Sequence, residues 1–141
     1  MEPEHVFTLT QLLPYFTKYG AQYGIDHRVV AAVAFQESGF RNYRVHNDGT
    51  GHGLFGLDDG GMRVPFEQWS GFFIGPGRTA NIAPPEKQIE YASYQLKRYA
   101  DAYGNHWAAC RAWHRGGGLL NDARGQQYEA LIKAHVARLF P

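Results

Sequence analysis

Carboxylates set beside glycines carry the most readable chemistry in this chain. Counting back from Glu37 by four and by eight reaches Val33 and Val29, with Val30 beside them, so a helix through this stretch places the Glu37 carboxyl on an apolar face. A carboxyl deprived of water resists ionisation. Its pKa climbs toward neutrality, and it can then donate a proton there as a general acid. The same spacing also suits an ordinary glutamate near a helix C-terminus, solvated or paired with an arginine. The following segment, Asn47-Asp48-Gly49-Thr50-Gly51-His52-Gly53-Leu54-Phe55-Gly56-Leu57-Asp58-Asp59, places further carboxylates where backbone and ligand can approach closely. Asp48-Gly49 and Asp58-Asp59-Gly60 are equally good turn sequences. With Glu37 as proton donor and Asp48 or Asp58 as ionised partner, the set has the division of labour that glycosidic-bond hydrolysis requires.

Positioning these groups falls mainly to helices. Leu9, Leu12, Leu13, Phe16 and Tyr19 trace one face of a helix from about Thr8 to Tyr23, with Pro14 at its first turn or at a kink. Asp26 is a good N-cap for a helix from His27 to Ser38, closed by Gly39 and apolar all round, hence central. From Gly39 to Gly61 seven glycines alternate with polar residues, which predicts a structured loop or small hairpin with short strands around Gly53 to Leu57. Between Met62 and Ile82 only a short helix and a strand are readable. Pro84-Pro85 precedes a long helix from about Glu86 to Tyr103, Asn105 caps another through His114, and Gly116 to Gly118 end it. Tyr128, Leu131, Ile132, His135 and Leu139 form the stripe of a last helix. The expected class is α+β and predominantly α-helical.

The 141 residues predict a single domain over 1–141, and 44% hydrophobic against 19% charged side chains excludes a disordered chain or a rod. A net charge of +1 supplies no field for nucleic acid. The acidic start Met1-Glu2-Pro3-Glu4 is unlike a secretory signal, and no apolar run reaches the ~18 residues of a membrane span, so membrane insertion is not expected. Cys110, the single cysteine, cannot form an intramolecular disulfide. With His106 and His114 one turn away on either side it suggests a nucleophile or a metal clip, but a lone helical cysteine is more often a buried apolar residue, and further zinc ligands are only loosely offered by His46, Asp48 and His52. Gly51-x-Gly53-x-x-Gly56 has dinucleotide-fingerprint spacing without the flanking strand, helix and acidic residue. Neither metal nor cofactor is expected, and the chain is expected to be a monomer.

Three blocks in register carry a family resemblance. Tyr23-Gly24-Ile25-Asp26 through Gln36-Glu37-Ser38-Gly39-Phe40 resembles the helix of soluble lytic transglycosylase domains, in which the Glu of a Glu-Ser pair is the catalytic acid. Gly51 to Asp58 resembles the Gly-Leu-Met-Gln-Val-Asp stretch of goose-type lysozymes. Asn81-Ile82, the Gln88 to Tyr103 helix and Ala112-Trp113-His114-Arg115-Gly116-Gly117 are similar to the family's Asn-Ile helix and Ala-Tyr-Asn-Ala-Gly motif. Order and spacing agree over about residues 15 to 136.

The resemblance implies a lysozyme-like fold with the glycine-rich hairpin beside the catalytic helix. It implies peptidoglycan glycan strands as partner and cleavage between N-acetylmuramic acid and N-acetylglucosamine. Glu37 is then the acid, and Asp48 and Asp58 position water for a muramidase; in the alternative, the muramyl C6 hydroxyl attacks and Glu37 serves as acid and base. Ser38, His52, Gly53, Phe55, Trp113 and His114 become expected substrate contacts. Two departures stand out: Gly56 replaces the family's Gln, and Trp113-His114 replaces Tyr-Asn, which removes a hydroxyl from beside the acid. Of the aromatic residues able to stack on sugars, Phe55 and Trp113 lie within the motifs, while Trp69, Phe72, Phe73 and Trp107 lie outside them. Arg63 and Arg115 are candidates for peptide-stem carboxylates. A binding or structural phage module that keeps the fold without turnover is the rival from another class. The route to the wall stays open between a phage lysin, a virion-borne protein and a domain of a longer chain.

Overall fold

The computed structural model describes residues 4–141; Met1-Glu2-Pro3, three of the four residues of the acidic start read above, lie outside the described residues. Helix α1 (Leu9–Tyr23) begins at a reciprocal cap: Gln11 N–H donates to Thr8 Oγ1 at 3.1 Å and Thr8 N–H to Gln11 Oε1 at 2.9 Å. Pro14 is accommodated inside it. Helix α2 (His27–Ser38) starts at Asp26, whose carboxylate accepts from Arg28 N–H, and ends at Gly39, in the left-handed conformation expected of a helix stop. Val29 through Ala34 are all buried, so α2 has no solvated stripe along its middle. Helices α4 (Pro85–Tyr103) and α6 (Ala123–Leu139) enclose it together with α1, and α5 (His106–Arg115) packs between α4 and α6. Leu12, Phe16, Val30, Leu54, Phe66, Ile89, Leu96, Cys110 and Ile132 are fully buried, so every one of these helices sends a residue to the innermost core. Burial of such side chains stabilises by roughly 1.5–3 kcal/mol each.

Two small antiparallel ladders complete an α+β architecture dominated by helix. Strand β1 (His5–Val6) pairs with β2 (Arg41–Asn42), and β3 (Gly51–His52) with β4 (Leu57–Asp58) in the register Gly51 to Asp58 and His52 to Leu57. The predicted hairpin is therefore present, with its strands flanking rather than filling Gly53 to Leu57. The stretch from 62 to 82 holds α3 (Arg63–Ser70) and one 3-10 turn at Gly77–Thr79; the strand expected there is absent among the described residues. Its backbone donors are satisfied by side chains instead. Glu67 accepts from the N–H groups of Ile74 and Gly75 at 2.8 and 2.7 Å, and Asp59 accepts from Gly77 N–H at 3.0 Å. Arg63 bridges these carboxylates, with Nε 2.7 Å from Asp59 and an Nη 2.9 Å from Glu67. That arginine is 9% exposed and ion-paired with both carboxylates, so it faces the fold and not a peptide stem; Arg115 is likewise paired, 2.8 Å from Asp122.

Candidate active site

Glu37 stands in the last turn of α2, where the apolar helix meets the hairpin. Beyond it Gly39 and then Phe40 take positive φ, 63° for each; Phe40 is the only non-glycine residue to do so among the described residues. A left-handed phenylalanine costs of order 1 kcal/mol. Its ring is 4% exposed and packs on Phe16 and Phe35, which holds the bend that turns the chain from α2 into β2. Glu37 is half-buried, and burial pushes its carboxyl up from the ordinary 4.5 to about 7, opposed by a hydrogen bond from the Tyr128 hydroxyl to Oε2 at 3.4 Å. A carboxyl so placed can give up or take a proton near neutrality.

The hydroxyl missing at Trp113 thus arrives from a different element. Tyr128, on α6, is 3% exposed, and the His114 ring lies flat on it at 4.4 Å and 2°. Burial, with Arg115 and Arg124 nearby, lowers the His114 pKa, so the stacked ring is predominantly neutral at pH 7. Sequence periodicity assigned Tyr128 only to the apolar stripe of the last helix. The one signal for its second role is the phenol at a position where the stripe crosses α2.

The hairpin turn is clamped to this helix end by buried polar groups. Ser38 donates its hydroxyl to Leu54 O at 2.6 Å, Leu54 N–H donates to Gln88 Oε1 at 2.8 Å, and Gln88 Nε2 donates to Asn42 Oδ1 and Ala83 O at 2.8 and 3.0 Å. Gly53 has φ 73°, and a Cβ there would lie 2.2 Å from Gln88 Oε1, so no other residue fits. Three expected substrate contacts therefore turn inward. Ser38 spends its hydroxyl on the turn, Gly53 is a packing requirement, and His52 is 1% exposed with its ring nitrogens 2.6 Å from Arg44 O and 2.8 Å from Asp59. These residues position the site instead of lining it by side chain, apart from the small face that Ser38 shows to the groove described next.

Three hollows meet at Glu37. A groove of about 990 Å³ has Glu37, Ser38, Arg41, Tyr43 and Asp48 in its wall. A hollow of about 240 Å³ is lined by Glu37, Phe55, Gly56, Asp58, Met62 and Trp113, together with His114 and Gly61. A third, of about 350 Å³, lies against Glu37, His114, Arg124 and Tyr128. Phe55 and Trp113 meet edge to face at 5.8 Å and are only 2% and 9% exposed, so they offer edges rather than broad stacking faces. At Gly56, where a longer side chain was expected by resemblance, the backbone lies against Glu37: a Cβ would sit 3.9 Å from that of Glu37.

The two aspartates share walls with Glu37, and each is bonded into the hairpin, Asp48 through one oxygen and Asp58 through both. Asp48 Oδ1 accepts from the N–H groups of Thr50 and Gly51, each at 2.9 Å, and these hold its carboxyl below the usual range. Asp58 accepts from Thr50 Oγ1 at 2.7 Å and from Gly60 N–H at 2.8 Å, one on each oxygen. Cys110 is fully buried, and burial pushes its thiol up to about 12, the opposite of an activated nucleophile. No helix among the described residues is long and apolar enough to cross a membrane.

A curated relative, Protein IpgF of Shigella sonnei, is 27% identical in an alignment of 120 residues that covers 79% of this chain and 75% of that protein. Residues 14–136, nearly the whole of the helical body and both sides of the cleft, match the family model of the Transglycosylase SLT domain. A match of that extent places the chain in the Transglycosylase SLT domain family, whose members are peptidoglycan-active enzymes.

Proposed function

We propose that this enzyme cleaves the β-1,4 bond between N-acetylmuramic acid and N-acetylglucosamine without consuming water, Glu37 acting first as acid and then as base. The observation that carries this reading is the contrast among the carboxylates. Glu37 is desolvated, with its pKa raised to about 7, whereas Asp48 and Asp58 are tied into the hairpin's own turns. Protonated Glu37 gives its proton to the bridging oxygen as the bond to muramyl C1 breaks, leaving oxocarbenium-like charge at C1. The carboxylate so formed takes the proton of the muramyl C6 hydroxyl while that oxygen bonds to C1. The product is a 1,6-anhydro sugar, and Glu37 is protonated again. A pKa near 7 suits both halves of the cycle, because neither protonation state is costly to reach. The Tyr128 hydroxyl supports the carboxylate stage.

The second reading is hydrolysis, with Asp58 or Asp48 positioning the attacking water. It is favoured by the place of Asp58 in the same hollow as Glu37. Release of soluble fragments from purified walls separates the two. Glu37→Gln is expected to abolish release in either case; Asp58→Asn is expected to change the rate only a few-fold under the transglycosylase reading and far more under the hydrolase one. Substantial cleavage by the Glu37→Gln chain would remove the assignment of the acid.

A further inference from the structure

Met62 lies in two walls at once. It belongs to the hollow beside Glu37, and it also opens a separate groove of about 510 Å³ along the seam of α3 and α4. Its lining holds three aromatic rings, Trp69 and Tyr94 half-buried and Tyr91 buried beneath them. Trp69 stacks on Tyr94 with centroids 5.4 Å apart and planes 26° from parallel, and it leans on Tyr91 at 5.5 Å. The Tyr91 hydroxyl points back to Met62 Sδ at 3.4 Å, which fixes the groove to the residue it shares with the catalytic hollow. Along the rim are nitrogen donors: the exposed amide of Gln68 and the exposed guanidinium of Arg98, the latter held over the Tyr94 ring at 5.6 Å and bonded to Gln95 Oε1 at 3.2 Å.

Aromatic rings flanked by amide and guanidinium donors match the chemistry of N-acetylated pyranoses. Their C–H faces lie on rings, while hydroxyl and acetamide oxygens accept hydrogen bonds. A polysaccharide threaded past Glu37 also continues beyond the point of cleavage. Its next units need a bed, and a groove leaving through Met62 provides one. We infer that the α3–α4 groove is a second glycan-binding site, which holds sugar units of the strand beyond those in contact with Glu37, with Arg98 facing the muramyl carboxylate or its peptide. This inference rests on the glycan-cleaving reading above. Contacts remote from the reacting bond raise turnover of long substrates over short ones.

Solubilised glycan strands of two lengths, four sugars and eight or more, test it on the full Glu37→Gln chain by nuclear magnetic resonance. Long strands are expected to shift the Trp69 indole and the Gln68 and Arg98 side-chain signals together with those of Trp113; four-sugar strands are expected to shift the Trp113 side alone. In the active enzyme, Trp69→Ala is expected to reduce the preference for long strands in kcat/KM about tenfold, the factor that loss of one aromatic stacking contact carries. Because Trp69 also packs on the core, Gln68→Ala and Arg98→Ala repeat the measurement from exposed positions, with the same direction expected. Long strands that move the Trp113 signals and leave Trp69, Gln68 and Arg98 unmoved would overturn the groove and spare the catalytic reading. An unchanged length preference in all three variants would do the same. No shift at any residue with either strand would overturn both.

Discussion

Replacing Glu37 by Gln is expected to stabilise the fold in neutral and alkaline solution and to leave it nearly unchanged in acid. In the unfolded chain this glutamate titrates at its ordinary 4.5; in the folded protein burial holds it to about 7. Below 4.5 both states carry the proton and the carboxyl costs nothing. As pH rises from there to about 7, the unfolded chain ionises first, the folded state binds more protons, and stability falls; above about 7 the loss levels off. At about 1.36 kcal/mol per pH unit the full loss is about 3 kcal/mol, somewhat less where water reaches the half-buried carboxyl. Gln is uncharged and keeps an oxygen for the Tyr128 hydroxyl, so the variant escapes this loss. Urea denaturation of both chains at pH 4, 6 and 8 measures it. The expected excess stability of Glu37→Gln is close to zero at pH 4 and about 2–3 kcal/mol at pH 8. An excess that does not grow with pH, or a native chain that is the more stable at pH 8, would refute the claim that Glu37 is held in a water-poor site.

Other perturbations probe the groups around it. Tyr128→Phe removes a hydrogen bond that favours ionised Glu37, so the alkaline limb of kcat/KM against pH should move upward by about half to one pH unit, as expected for a long, weak bond to a carboxylate worth about 1 kcal/mol; a limb that stays in place or moves downward counts against the contact. Gly53→Ala forces a methyl to 2.2 Å from Gln88 Oε1 at φ 73°, and chemical denaturation should show a loss of about 2 kcal/mol or more together with reduced wall cleavage. Equal stability of that variant would mean the turn is not held by Gln88.

Much of the scaffold was legible because its signals are local. The apolar run, Asp26 and Gly39 define α2 from His27 to Ser38, the 3.6-residue stripes recover α4 and α6, and the Asn105 cap with the glycines after His114 recovers α5. The pair β1–β2 was not legible: it joins His5 to Asn42 across more than thirty residues, and two-residue strands leave no periodicity. The stretch 71–80 was unreadable for a related reason, since its shape depends on Glu67 and Asp59 accepting its backbone N–H groups and not on any repeat of its own. At the site, periodicity placed Glu37 on an apolar surface, and its half-buried setting follows from that. Glycines and polar residues in one loop cannot reveal which way each side chain turns. His52 and Ser38 read as ligand contacts because they lie within the motifs that carry the resemblance, yet each answers an oxygen of the fold: Arg44 O and Asp59 for one, Leu54 O for the other. Tyr128 shows the converse, a stripe residue whose hydroxyl end meets Glu37 from ninety-one positions away.

The mass of the muropeptides released from purified cell walls tests most directly whether a single carboxyl runs the reaction. If Glu37 alone serves as acid and base, the native enzyme releases 1,6-anhydro products, lighter by one water than their hydrolysed counterparts. Fragments that carry the full mass of a reducing end would contradict this and transfer the second step to a water held by Asp58 or Asp48.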